Sequence, residues 1–201
     1  MTGLGQPYDR SFDDAYIGVP PWDIGRPQRV VGDLAEAGAF DAPVVDVGCG
    51  TGENALALVA LGLEVLGVDA SPRAIGKAMD KARDRGLRGA DFLVADAFGI
   101  GGLGRAFGSA LDCGFFHVLD DHERPVYAAA LHEALAPGGV VHLLCFSDAE
   151  PPGWGPRRVS EAELRGTFAD PWLIRELVPS SFETNLELGE VRAWRAAIVR
   201  T

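Results

Sequence analysis

Val44-Val45-Asp46-Val47-Gly48-Cys49-Gly50-Thr51-Gly52 decides the architecture of this chain. An apolar, β-branched run reads as a buried strand. Glycine at every second position then lets the backbone turn tightly and approach a ligand without a Cβ in the way. Glu53-Asn54-Ala55-Leu56-Ala57-Leu58 continues as a helix, whose unpaired N–H groups complete a nucleotide-type binding turn. The spacing is G-x-G-x-G, and Glu53 stands where the third glycine of the dinucleotide fingerprint would fall. Asp46 lies two residues ahead of the first glycine.

Outward from this turn, strands and helices alternate. The strand 44–47 is followed by a helix near 53–61, stopped by Gly62. A strand over 64–68 ends at Asp69, and Ser71-Pro72 caps a helix to about Arg85. Strands over 91–95 and 107–111 end at Asp96 and Asp112, with a glycine-dense connector over 99–108 between them. A helix opens at Asp121 or His122 and runs through Tyr127, Leu131 and Leu135 to a sharp turn at 136–139. The continuously apolar run 140–146 reads as a central strand. Ser160 and Glu163 form a capping box for a helix to about Phe168, and strands over 172–178 and 191–199 close the chain. Upstream, Pro27 starts a helix that reaches Gly38. The alternation predicts an α/β fold with a parallel sheet and helices on both faces, as a single domain over 1–201. Residues 1–25 carry Tyr8, Phe12, Tyr16 and Trp22, too many aromatics for a disordered tail, so they are expected to fold back as a cover. The loop 147–159, with three prolines and Trp154, reads as lid-like.

Charge excludes some partners. Eighteen basic against 29 acidic residues give a net charge of −11, which argues against a phosphate backbone as substrate. The dense basic cluster is Arg157-Arg158. No apolar run reaches the roughly 18 residues of a membrane span, and the N-terminus lacks the charged and apolar regions of a signal peptide. Cys49, Cys113 and Cys145 are odd in number and far apart, as expected of reduced thiols in a cytoplasmic chain rather than a disulfide frame or a zinc site.

Ligands of open α/β sheets sit at the C-terminal ends of the strands, and here four of those ends carry Asp46, Asp69, Asp96 and Asp112. Asp69 lies 21 residues after Gly48, where a carboxylate accepts both hydroxyls of a ribose. Asp96 with Ala97 falls where the adenine amino edge would lie, and Asp46 is placed to bond loop N–H groups. In the segment after Asp112, Phe115 and Phe116 are candidates to line an apolar pocket and His117 is a candidate general base. Phe146 and Trp154 are candidates for the pocket under the loop, with Tyr16 from the cover. His117, His122 and Asp121 match no strong metal motif, and no metal is expected.

Asp46 and the glycines after it resemble motif I of the class I S-adenosylmethionine (SAM) methyltransferases, and VLGVDAS, VADAF and LAPGG follow in the right order over residues 26–146. The run Pro21-Trp22-Asp23-Ile24-Gly25-Arg26-Pro27-Gln28, the stretch 111–119 and Leu143-Leu144-Cys145-Phe146-Ser147 with its proline-rich loop resemble the thiopurine and thiol methyltransferases and bacterial relatives that methylate heterocyclic toxins. The resemblance implies a Rossmann-like, doubly wound, seven-stranded, mostly parallel sheet of order 3-2-1-4-5-7-6 with the last strand antiparallel. It implies SAM as cofactor and S-adenosylhomocysteine as product. Trp22 would pack on the cofactor, Gly48, Cys49 and Gly50 would contact it through the main chain, Asp69 and Ala70 would flank the ribose, Asp96-Ala97 would bracket the adenine, and Cys113 would lie beside it. Asp46 would lie near its cationic end.

There are departures. Cys113 replaces a basic residue of the animal thiopurine enzymes, the N-terminal helix is short, and Asp112 is not followed by the Pro-Pro-aromatic run of DNA amino methyltransferases. The implied activity is methyl transfer to a thiol, heterocyclic nitrogen or hydroxyl of a small, largely apolar acceptor, working by proximity and desolvation, with His117 available as base to a phenol. The expected partner is that small molecule, with no nucleic acid or membrane, on a monomer or homodimer. Two rival readings use the same architecture, a nucleotide-dependent oxidoreductase and a SAM-binding protein without turnover.

Overall fold

In the computed structural model, β1 (Val44–Val47) and β2 (Val65–Asp69) are buried at every position, as strands covered on both faces must be. The structure describes residues 12–187 and 190–201, so Tyr8 and the rest of the first eleven residues of the expected cover lie outside the described residues. The other strands are β3 (Ala90–Val94), β4 (Phe107–Cys113), β5 (Leu135–Phe146), β6 (Trp172–Phe182) and β7 (Val191–Arg200). They form one sheet in the order β3-β2-β1-β4-β5-β7-β6. β1 pairs in parallel with β2 and β4, and the parallel run continues to β3 and β5. β7 is antiparallel to both β5 and β6. This is the order and the sense expected from the sequence. Among the described residues no helix is long and apolar enough to cross a membrane.

The helices are α1 (Phe12–Ala15), α2 (Arg29–Glu36), α3 (Glu53–Ala60), α4 (Pro72–Asp84), α5 (Glu123–Ala134) and α6 (Glu161–Thr167). Alternate residues of a strand face opposite sides of the sheet. Val45 and Val47 enter the larger core with Phe107, Tyr127, Leu131, Leu143 and Phe168. Val44 enters the smaller one with Val31, Leu58, Val65 and Leu111. Ser71 caps α4 by accepting from Ala74 N–H, and α6 begins with the capping box of Ser160 and Glu163. Gly67, in mid-strand, marks a close approach: a Cβ there would lie 2.6 Å from the Phe92 ring and 2.9 Å from Cys49 Sγ.

The turn expected at 136–139 lies inside β5, which begins at Leu135, and two further stretches differ from the sequence reading. The glycine-dense connector is a 3-10 helix, Ala97–Leu103, started by the Asp96 carboxylate accepting from Phe98 N–H at 3.0 Å. Ile100 buries completely, and a Cβ on Gly101 would meet Glu133 of α5 at 2.6 Å. Gly101 there admits the close approach of α5. The second of these stretches is β6, which runs on to Phe182 and carries that ring to the end of β5, 5.3 Å from Phe146.

Candidate active site

The glycine loop joins β1 to α3 and lies beside the ends of β2 and β4. Gly48, Gly50 and Gly52 hold φ of +66°, +55° and +83°, a region L side chains avoid. Space enforces the same choice. A Cβ on Gly48 would meet Phe115 at 3.1 Å, and one on Gly50 would meet the Tyr16 hydroxyl at 2.9 Å. Glu53, in the place of a third dinucleotide glycine, is fixed by both guanidinium nitrogens of Arg85 at 2.8 Å and by Lys81 at 2.8 Å.

Three buried carboxylates surround this loop. One oxygen of Asp69 accepts Gly50 N–H and the other Ser71 N–H, each at 2.8 Å. Each oxygen keeps a lone pair for a ligand hydroxyl. Burial raises the Asp69 pKa and these two bonds oppose the rise. Asp46 Oδ2 has no hydrogen-bond partner among the described residues, while the Tyr127 side chain bonds the Asp112 carboxylate. Burial, and then the charge of Asp112, push Asp46 up to about 7, while burial pushes Asp112 up to about 6. A partnerless carboxylate oxygen under a glycine loop costs stability, and a cationic ligand group would relieve that cost.

Their titration has a sign. Both groups hold protons more tightly in the folded chain than in the unfolded one. Their contribution is therefore fully present below the ordinary carboxylate range and is lost as pH rises through about 6 and about 7. The melting temperature of the ligand-free protein is expected to fall from about pH 5 to about pH 8. Asp46→Asn should flatten that fall, and an identical slope in the variant would exclude the assignment.

Residues 12–28 strap across the loop. Asp13 accepts the Ser71 hydroxyl at 2.7 Å and pairs with Arg73. Asp23 accepts the Thr51 hydroxyl at 2.9 Å, Lys77 donates to Gly18 O at 3.0 Å, and Asn185 donates to Pro20 O at 3.1 Å. The strap seats Tyr16 against Gly50, with Trp22 Nε1 donating to its hydroxyl at 3.1 Å. Burial and then the charge of Asp69 keep the Tyr16 phenol protonated. Tyr16 thus lies over the glycine loop, and Trp22, 40% exposed, lies edge-on to it. Asp13, Asp23 and Lys81 were not singled out from the sequence. Acids within a tail predicted to fold back were the available signal.

On the other side, the end of β4 leads through Cys113 and Gly114 to Phe115, whose ring covers Gly48 and meets Tyr127 edge-on at 5.1 Å. Burial raises the thiols of both Cys49 and Cys113. Phe116 is not at the site, contrary to the sequence reading. The 3-10 turn Phe116–Val118 directs it inward, where it is wholly buried, 5.6 Å from Phe168 and under the Arg124 guanidinium. His117 is brought to the end of β5: Phe146 N–H donates to its Nδ1 at 3.0 Å, and the two rings lie 4.6 Å apart. Burial, then Arg158 and Arg124, push its pKa down to about 3. Phe146 also meets Phe182 and Trp154, the latter at 5.5 Å. Arg158 lies over the Phe146 and Trp154 rings and donates to the carbonyls of Glu150, Pro151 and Pro156, closing the loop 147–159 on itself. Arg158 and Phe182 were missed from the sequence, the first being read as part of a basic pair and the second lying beyond the expected strand end. Ala70 is exposed after Asp69, and Ala97 is buried behind the Asp96 cap. Among the described residues no three His, Cys, Asp or Glu side chains gather as a metal site.

A Rossmann-like sheet of this order, with an acid-flanked G-x-G-x-G loop, fits a methyltransferase. Residues 44–139 match the methyltransferase domain family. The chain is 37% identical over 168 residues to a 2-heptyl-1-hydroxyquinolin-4(1H)-one methyltransferase of Mycobacteroides abscessus, covering 83% of this chain and 74% of that one. It is 29% identical over 168 residues to a probable thiol methyltransferase 2 of Arabidopsis thaliana, covering 83% and 70%. A protein solved in work on the conversion of a disulfide bond into a thioacetal group during echinomycin biosynthesis superimposes with a TM-score of 0.86 at 38% identity, over 94% of this chain and 91% of that one. The chain belongs to the methyltransferase family, and it is a SAM-dependent enzyme acting on a small molecule.

Proposed function

We propose that the acceptor is a small, largely apolar ring compound methylated on a thiol, hydroxyl or heterocyclic nitrogen. The observation that carries this reading is the cluster of Phe146, Phe182 and Trp154, with Phe182 packed on Gly114 next to the Phe115 that covers Gly48, beside a loop under which Asp46 keeps a partnerless oxygen. Relatives named for a hydroxyquinolone and for thiols support it.

When bound, SAM supplies a methyl group on a positively charged sulfur, a leaving group that needs no acid. The donor set fits that cofactor: Asp69 holds the ribose hydroxyls, the segment Asp96-Ala97 meets the adenine, and Gly48, Cys49 and Gly50 present main-chain atoms without side chains in the way. Asp46, with its partnerless oxygen, answers the cationic end. Cys113 borders the same space. Tyr16 and Trp22 exclude water from above, which strengthens every charge interaction beneath them. The aromatic rings hold the acceptor in line, so the rate comes from placement and desolvation.

The test is calorimetry followed by turnover. SAM and S-adenosylhomocysteine are expected to bind at micromolar levels, the product at least as tightly. A panel of thiophenols, N-hydroxyquinolones and phenols should then give methylated products by mass spectrometry. Binding of both ligands with no product from any ring acceptor would refute the acceptor class.

A further inference from the structure

We propose that His117 is a fixed hydrogen-bond donor, not a base, and that it selects acceptors that arrive already ionised. The inference rests on the methyltransferase reading above and names the chemistry of its acceptor.

The geometry begins with the backbone. Phe146 N–H points at His117 Nδ1 from 3.0 Å, and only a ring nitrogen lone pair can take that bond. The ring proton is therefore on Nε2. Nε2 has no acceptor among the described residues, yet it is not one of the sealed, partnerless polar atoms of the interior. His117 as a residue is only 5% exposed. It is packed against Phe146 and Phe182, and a Cβ on Gly114 would stand 3.5 Å from its Cε1. A buried imidazole thus presents one unanswered N–H in the aromatic wall.

Two guanidiniums lie nearby, and one of them is paired, Arg124 Nη1 meeting Glu163 Oε1 at 2.8 Å. Arg158 from the loop and Arg124 from α5 act on His117, and no carboxylate does. Asp112 of β4 turns its bonded oxygen to Phe115 and Phe116 N–H. The thiols of Cys113 and Cys145 are held neutral by burial. β6 contributes the apolar Phe182. A histidine that takes a proton is normally oriented and charge-compensated by a carboxylate on its other nitrogen. Here that nitrogen meets an amide, and the nearby Arg158 guanidinium bonds loop carbonyls and has no carboxylate partner among the described residues. Such a place stabilises a negative atom and disfavours an imidazolium.

The proton balance then closes without a base. Transfer to an anion turns one negative heteroatom and one sulfonium into a neutral thioether or ether and a neutral sulfide. The C–S electron pair goes with the departing sulfur, the new bond uses the anion's lone pair, and no proton is left over. The acceptors so defined are thiols, N-hydroxy heterocycles and acidic phenols that ionise near neutral pH.

The deciding experiments need no assumption about the natural acceptor. Nitrogen-15 NMR of the histidine rings in the intact protein should show His117 protonated on Nε2 and unprotonated on Nδ1, unchanged from about pH 5 to about pH 9. For a series of substituted thiophenols, the midpoint of kcat/KM against pH should move with the ionisation of each acceptor. His117→Leu should lose about tenfold to a hundredfold in kcat/KM with those midpoints unmoved. His117→Gln, which returns an N–H near the position of Nε2, should recover part of the loss. A midpoint common to every acceptor and abolished in His117→Leu would establish a base and overturn the proposal, as would a ring that gains a proton between those pH values. If His117→Leu does not fold, the NMR and the thiophenol series on the unaltered protein still decide. Failure of SAM to bind would strike the function above, while the tautomer measurement would stand on its own.

Discussion

Asp69→Ala is expected to weaken SAM binding by at least roughly a hundredfold. The carboxylate is buried at the end of β2 and holds the glycine loop through Gly50 N–H and the next turn through Ser71 N–H, each at 2.8 Å. Its remaining lone pairs are those proposed for the two ribose hydroxyls. Hydrogen bonds to a charged group contribute about 1.5–3 kcal/mol each, and about 1.4 kcal/mol is tenfold in affinity. Two such bonds lost give a factor of about a hundred or more before any loosening of the loop is counted. Asp69→Asn should fall between the two, since one carboxamide oxygen survives while its NH2 faces an amide donor. Calorimetry with SAM and with S-adenosylhomocysteine measures the effect, and both ligands should lose alike because both carry the ribose. Unchanged affinity in Asp69→Ala would remove this residue from the cofactor site.

The second large effect separates two adjacent rings. Phe116 is wholly buried between Phe168 and Arg124, so Phe116→Ala should cost about 3–5 kcal/mol. That is a large part of the 5–15 kcal/mol typical of a whole domain, and it should lower the melting temperature by about 10 °C. The KM for the acceptor in the folded fraction should hardly move. Phe115→Ala should do the reverse, with a small change in melting temperature and a several-fold rise in KM, because that half-buried ring lies over Gly48 at the site. Denaturation and steady-state kinetics on the pair decide it, and a large KM effect in Phe116→Ala with little loss of stability would put that ring back in the pocket.

This pair also shows where the sequence stops speaking. The strand ends, Asp46, Asp69 and the glycine loop were legible because period, turn chemistry and glycine spacing are local properties. Phe115 and Phe116 are chemically alike and adjacent, and only the 3-10 turn Phe116–Val118 sends one inward and leaves the other over Gly48. The helix after Asp96 was hidden by its glycines, which read as slack until Glu133 of α5 is seen packed against Gly101. The role of His117 depends on an amide 29 residues away, and that of Arg158 on carbonyls of its own loop and two rings above them. No local pattern records such meetings. A charged residue in a proline-rich loop reads as solvated until the rings it covers are located.

The two sides of the proposed site are fastened by different residues. The strap over the glycine loop is tied down through Asp13, Asp23 and Asn185. The loop 147–159 is tied through Arg158 and through Arg192, which donates to Ala149 O and Glu150. Among the described residues none serves in both of these sets of ties. Selection can therefore rewrite the proposed acceptor wall, changing ring size or polarity around Trp154 and Phe182, without loosening the half proposed to hold the methyl donor. A lineage built on this chain is free to diversify its chemistry one wall at a time, and an engineer seeking a new acceptor has the same freedom.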